Sequence, residues 1–155
     1  PKDRFFPQGF RAAIYEVGAV SSHAPATGAF LLPQINVFDP KAMLTLDSPS
    51  LTSTLEVPFR LTTSHAAQFA SPNLNQAKIS FYPPTGFFTG SAVVDDLLPG
   101  STSRRLKRTV NFKGMLPGGG FFLLPMLPDA TGEPPTTTAN SPILSGKVRI
   151  SPAAE

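Results

Sequence analysis

Eighteen prolines and twelve glycines are spread through the 155 residues, and between them they leave no stretch free for a long helix. Proline removes an intrahelical hydrogen bond and clashes with the preceding turn, while glycine in a helix interior costs about 1 kcal/mol. The segment with most helical character, Pro40 to Leu46, is preceded by Pro33 and cut by Pro49, which limits it to a turn or two. What remains is a series of short apolar runs, whose bulk comes from thirteen phenylalanines and no tryptophan. Phe and β-branched side chains suit a pleated, half-buried surface. The expectation is an all-β fold, a single antiparallel small β-barrel or β-sandwich with Pro/Gly-rich loops.

Alternation with a period of two supports this. Ser53 to Thr62 sets Leu55, Val57, Phe59 and Leu61 against Thr54, Glu56, Pro58 and Arg60; Pro58 cannot donate to a ladder and predicts an edge strand or a bulge. Gln76 to Tyr82 sets Ala77, Ile79 and Phe81 against Lys78, Ser80 and Tyr82. Arg104 to Gly114 sets Leu106, Val110 and Phe112 against Lys107, Thr109, Asn111 and Lys113. Further strands are read at 10–20, 42–46, 86–94, 121–127 and 143–150, with Pro25 to Gly28 as a turn and Asp95 to Ser103 as a polar loop. The whole chain reads as one β domain: residues 1–40 give N-terminal strands or an extension, 41–155 the main barrel, and 78–150 its best-patterned part. Gly28 to Pro33 echoes Gly120 to Pro125, which raises either a duplicated half-barrel or chance similarity in a Phe/Leu/Pro-rich chain.

Charge and chemistry narrow the function. Only 15% of residues are charged, against roughly 25% in average soluble domains. The net charge of +3 is local, because Arg104, Arg105, Lys107 and Arg108 cluster in one segment. That cluster reads either as a binding face for an acidic polymer or as charge that protects a strand edge. No exposed aromatics accompany it, so nucleic acid is not expected. With no cysteine, disulfides and thiolate metal sites are ruled out. His23 and His65 read as exposed loop histidines without a G-x-S-x-G nucleophile turn, and Asp95 and Asp96, being adjacent, point apart on an extended chain. At most these aspartates make a weak calcium contact together with Asp129. No catalytic residue, metal or cofactor is therefore expected. No apolar run approaches the roughly 18 residues of a membrane span, and no basic-then-apolar leader is read. The chain opens on Pro1, as either a mature product or a piece of something longer. Its Pro-rich ends are expected to be tied down by the domain or by a neighbouring chain.

Four blocks carry a resemblance: Thr85-Gly86-Phe87-Phe88-Thr89-Gly90-Ser91, Val110-Asn111-Phe112-Lys113-Gly114, Gly119-Gly120-Phe121-Phe122-Leu123-Leu124-Pro125, and Ser141-Pro142-Ile143-Leu144-Ser145-Gly146-Lys147-Val148. Together they cover residues 78–150, about half the chain, which resembles a glycine/aromatic-patterned β domain of large exported planctomycete and verrucomicrobial surface proteins. The resemblance implies a small barrel or sandwich module with no catalytic residue to carry over. In such a fold Gly86, Gly90, Gly114 and Gly120 would let strands bend, and Phe59, Phe81, Phe112 and Phe122 would fill the interior, with the choice between Phe87 and Phe88 open. The functional expectation is a non-catalytic structural or interaction module of an exported or cell-surface assembly, whose partners are other protein chains. The alternative is a module that binds acidic glycan through residues 104–108, and a hydrolase comes last.

Overall fold

The computed structural model describes residues 29–153 except 33, 34, 37, 130, 131, 133, 134 and 138. The strand read at 10–20, the turn at 25–28, His23 and the tied-down ends lie outside these residues. The described part is all-β. Eight strands follow in order: β1 (Lys41–Asp47), β2 (Leu55–Leu61), β3 (Ala67–Phe69), β4 (Lys78–Tyr82), β5 (Phe87–Leu97), β6 (Arg105–Met115), β7 (Gly119–Pro125) and β8 (Ile143–Pro152). No helix long and apolar enough to cross a membrane occurs among them.

All neighbours pair antiparallel in one sheet, ordered β3-β2-β1-β8-β7-β6-β5-β4. Because β1 pairs with β8, this is chain order wound into a ring. The ring is open only between β3 and β4, whose Cα atoms come within 8 Å without forming a ladder. The sheet is thus a nearly closed up-and-down barrel. Short connections favour this order at β4–β5 and β6–β7, since adjacent antiparallel strands need only a tight turn, whereas the long segment between Pro125 and Ile143 joins β7 to β8. Between β4 and β5 the turn is Pro83-Pro84-Thr85-Gly86, where Gly86 adopts φ 71° and its N–H donates to the Tyr82 carbonyl at 3.0 Å.

The inward side chains form two interlocked rows. In one, Phe81, Phe88, Gly114, Gly120 and Val148 lie side by side across β4 to β8. In the next, the order is Ile79, Gly90, Phe112, Phe122 and Gly146. Phe88, Phe112 and Phe122 each lie over a glycine of a neighbouring strand. A Cβ on Gly114 would stand 2.6 Å from the Phe88 ring and 2.5 Å from the Gly119 carbonyl, and one on Gly90 would meet the Phe112 ring at 2.5 Å. One on Gly146 would fall inside the Phe122 ring. Large beside small is how facing positions interdigitate at interior density. Phe88, Phe112 and Phe122 are thereby buried, Phe59 is buried beside Phe69, and Phe81 packs against the cluster half-buried.

Several sequence readings are corrected. β5 runs past Val94 to Leu97, because Asp96 occupies an inward position rather than opening a loop. β2 has ladders on both sides, yet β3 meets it only over Phe59–Leu61, so Pro58 sits where the strand still has a free flank. β3 itself was not anticipated: Ala67-Gln68-Phe69 is too short to show a period. The strand read at 42–46 is β1, which runs from Lys41 to Asp47, so the segment from Pro40 forms no helical turn. The described residues of 29–40 form no strand, so Ala29 to Leu32 does not repeat β7, although Leu32 is buried in the core; Gly28 and Pro33 lie outside the described residues.

Lys41 and Arg60 face each other across β1 and β2, a like-charge pair that is unfavourable by itself. Asp39 bonds both. The hydrogen bond from Lys41, with Arg60 adding its charge, holds the Asp39 carboxyl below its ordinary range.

The ring-over-glycine packing predicts that Gly114→Val and Gly146→Ala each destabilise by about 2–3 kcal/mol, an overpacking cost that at this size lowers the melting temperature by roughly 4–12 °C. Gly146→Ala is expected to cost clearly less in a Phe122→Leu background, since the two sites share one space. Thermal denaturation of the parent, the three single variants and the Gly146→Ala/Phe122→Leu double variant checks this, and additive effects at positions 122 and 146 would contradict the packing.

Candidate functional site

On the outer face of β4 to β7 the register sets side chains in a grid. Tyr82, Phe87 and Met115 form the row at the hairpin end; Ser80, Thr89, Lys113 and Phe121 form the second; Lys78, Ser91, Asn111 and Leu123 form the third. Strands lie about 4.8 Å apart, so the first row spans about 10 Å and the other two about 14 Å. The first row is apolar and half in water, with Tyr82 57%, Phe87 39% and Met115 43% exposed.

The second and third rows line a groove of about 770 Å³ that runs across the strands. Its floor includes Ile79, Gly90, Phe112 and Phe122, which belong to the inward set, so the groove reaches down to the sheet between the outward side chains. Phe121 and Leu123, each 48% exposed, form the β7 wall. The Lys113 ammonium stands 5.3 Å from the centre of the Phe121 ring, a cation–π contact that places charge and apolar surface together. Lys78 supplies a second ammonium at the β4 end. Hydroxyls and an amide come from Ser80, Thr89, Ser91 and Asn111, and no carboxylate among the described residues lines the groove.

The basic segment does not form one face. Arg104 precedes β6 and is exposed, and Arg105 points outward and pairs with Asp95 at 3.2 Å. Lys107 is exposed opposite Asp95. Arg108, grouped with them as a binding residue, points the other way, since alternation along β6 turns it into the barrel, where its side chain is only 10% exposed. Its Nε and Nη2 donate to Asp96 Oδ2 at 3.1 and 2.6 Å, Nη2 also donates to the Ser50 carbonyl, and Nη1 donates to the Pro125 carbonyl. Asp96 Oδ1 in turn accepts from the Thr52 N–H and hydroxyl, both at 2.9 Å. This network joins β5, β6, β7 and the β1–β2 loop and plugs one end of the barrel. Asp96 is therefore a buried counter-ion, neither a solvated strand end nor a calcium ligand.

No group of three or more metal-ligating side chains occurs among the described residues. His65 lies at φ 64° in the β2–β3 turn, half-buried instead of exposed, with Nδ1 out of reach of any hydrogen-bond partner. No family model matches the chain, and neither does any curated protein or solved structure. Of the grid residues, alternation alone places Lys78, Ser80, Tyr82, Asn111 and Lys113 on outward faces. The meeting of Lys78, Ser80, Asn111 and Lys113 in one groove depends on strand neighbours and register, which alternation does not carry.

The buried pair predicts that Asp96→Ala, which strands the Arg108 guanidinium, destabilises by about 3–5 kcal/mol. The double change Asp96→Leu/Arg108→Met is expected to lie within about 1 kcal/mol of the parent or above it, because apolar replacements remove the desolvation cost of both ions. Urea denaturation of parent, single and double variants measures both, and equal losses in single and double would refute the account.

Proposed function

We propose that the chain is a non-catalytic interaction module, one subunit of an exported or cell-surface assembly, which associates with further copies of itself through the outer row at the hairpin end. The observation that carries this reading is the contiguous, uncharged row of Tyr82, Phe87 and Met115 on three adjacent strands. Exposed apolar patches of this kind mark contact surfaces. A two-fold contact places the same patch on both partners, so it tolerates no uncompensated charge at its centre. The first row meets that condition; the two lysines of the rows behind it do not.

Two further features support the reading. Phenylalanine rings fill the interior, which leaves the exterior as the working surface. The low charge fraction and the Ser, Thr and Pro content suit a module that works outside the cell, and the resemblance of residues 78–150 to surface-protein domains points the same way. The alternative that placed an acidic glycan on residues 104–108 loses its footing, because Arg108 is spent inside the barrel.

Light scattering over a concentration series tests the proposal. The parent chain is expected to gain mass with concentration, and Phe87→Ser/Met115→Ser to stay monomeric with an unchanged circular-dichroism spectrum. A parent that remains monomeric throughout, or a variant that associates like the parent, would overturn it.

A further inference from the structure

The groove behind that row asks for a different occupant. We infer that it is a binding site for a linear, carboxylate-bearing saccharide, lying across β4 to β7 between Lys78 and the Lys113–Phe121 pair. The argument begins with charge. Two ammonium groups face one concavity with no carboxylate among the described residues of its lining, so an occupant that brings negative charge gains from both. On the β8 side, Lys147 lies beside Phe121, and Asp47 is set opposite it in the β1–β8 ladder, which leaves that flank without net charge.

The second step separates a saccharide from an acidic peptide. Extended peptides bind sheets by adding a strand at an edge, where backbone N–H and C=O groups are free. β5, β6 and β7 each have ladders on both sides, so along most of the groove the backbone is committed and recognition falls to side chains. Those side chains are hydroxyls and an amide, Ser80, Thr89, Ser91 and Asn111, beside the apolar walls of Phe121 and Leu123. A chain of sugar rings offers what this set can use: hydroxyls for the polar side chains, C–H faces for the walls, and a carboxylate for each lysine. The groove crosses the strands, which lets a linear polymer enter at β4 and leave over β7.

This site is separate from the self-association row, and the test keeps the two apart. The purified chain is titrated calorimetrically with polygalacturonate, with its fully methyl-esterified form and with poly-L-glutamate. Polygalacturonate is expected to bind and to lose about tenfold in affinity between 50 and 200 mM salt, as release of two counterions implies. The esterified polymer and poly-L-glutamate are each expected to bind at least tenfold more weakly. Lys78→Ser/Lys113→Ser should lose at least tenfold and Phe121→Ser several-fold, with melting temperatures near the parent's because all three side chains are exposed. Arg104→Ser/Arg105→Ser/Lys107→Ser, which removes more charge outside the groove, should bind within twofold of the parent, and so should Phe87→Ser/Met115→Ser. The inference fails if the parent does not bind polygalacturonate, if poly-L-glutamate binds as tightly, if the groove variant binds like the parent, or if the triple variant loses binding.

Discussion

Everything else in this barrel depends on phenylalanine rings lying over glycines of adjacent strands. Phe88 covers Gly114, Phe112 covers Gly90 and Phe122 covers Gly146, so the sheet has three places where its wall is one side chain thinner and a neighbouring ring takes the space. An eight-stranded barrel has an interior just wide enough for side chains. Rings on every strand would overfill it, and aliphatic residues on every strand would leave no reason to bend. Placing each ring opposite a glycine of the adjacent strand answers both problems, and it lets β5 and β6 pair over eleven residues while the sheet coils.

The two ends of the barrel are finished differently. At one end the Arg108–Asp96 pair, Thr52, Ser50 and the Pro125 carbonyl form a saturated polar plug. A buried ion pair gives little net stability over an apolar substitute, but each ion is costly without the other. In a chain whose alternating strands are much alike, a charge pair that fits in only one register penalises slippage, because a one-residue slip would send Arg108 out and bring Lys107 or Thr109 in. At the other end the β4–β5 and β6–β7 turns are short, apolar side chains come to the outer surface, and the Asp39–Lys41–Arg60 cluster stays exposed.

Strand positions and their inward and outward faces were legible because they depend on neighbours two residues away: Val57 and Phe59 in β2, Val110 and Phe112 in β6. The glycines were legible too, as breaks inside strong strand patterns. What stayed hidden was non-local. Asp96 and Arg108 read as a loop acid and a surface base because each was judged by its sequence neighbours, Asp95 in one case and Arg105 and Lys107 in the other. Alternation alone would have turned both inward, had β5 been extended two residues further. Phe87 and Phe88 could not be told apart until Gly114 was known to lie opposite Phe88. The groove was beyond reach for the same reason, since Lys78 and Lys113 are 35 positions apart and meet only through the β4–β5–β6 register.

Filling the interior with rings has a consequence for where recognition can happen. Barrels of this strand number that hold a ligand do so by leaving the inside partly empty. Here Phe88, Phe112 and Phe122 occupy that space, so specificity must be written on the outer surface, where outward positions repeat at a fixed spacing along and across the strands. β5 shows the division most plainly, because Gly90 admits the Phe112 ring on the inner face. Packing and the outer surface are therefore set by alternate residues of one strand: a side chain at position 90 would press on the Phe112 ring within, while Thr89 and Ser91 on either side of it face the groove between Lys78 and Lys113.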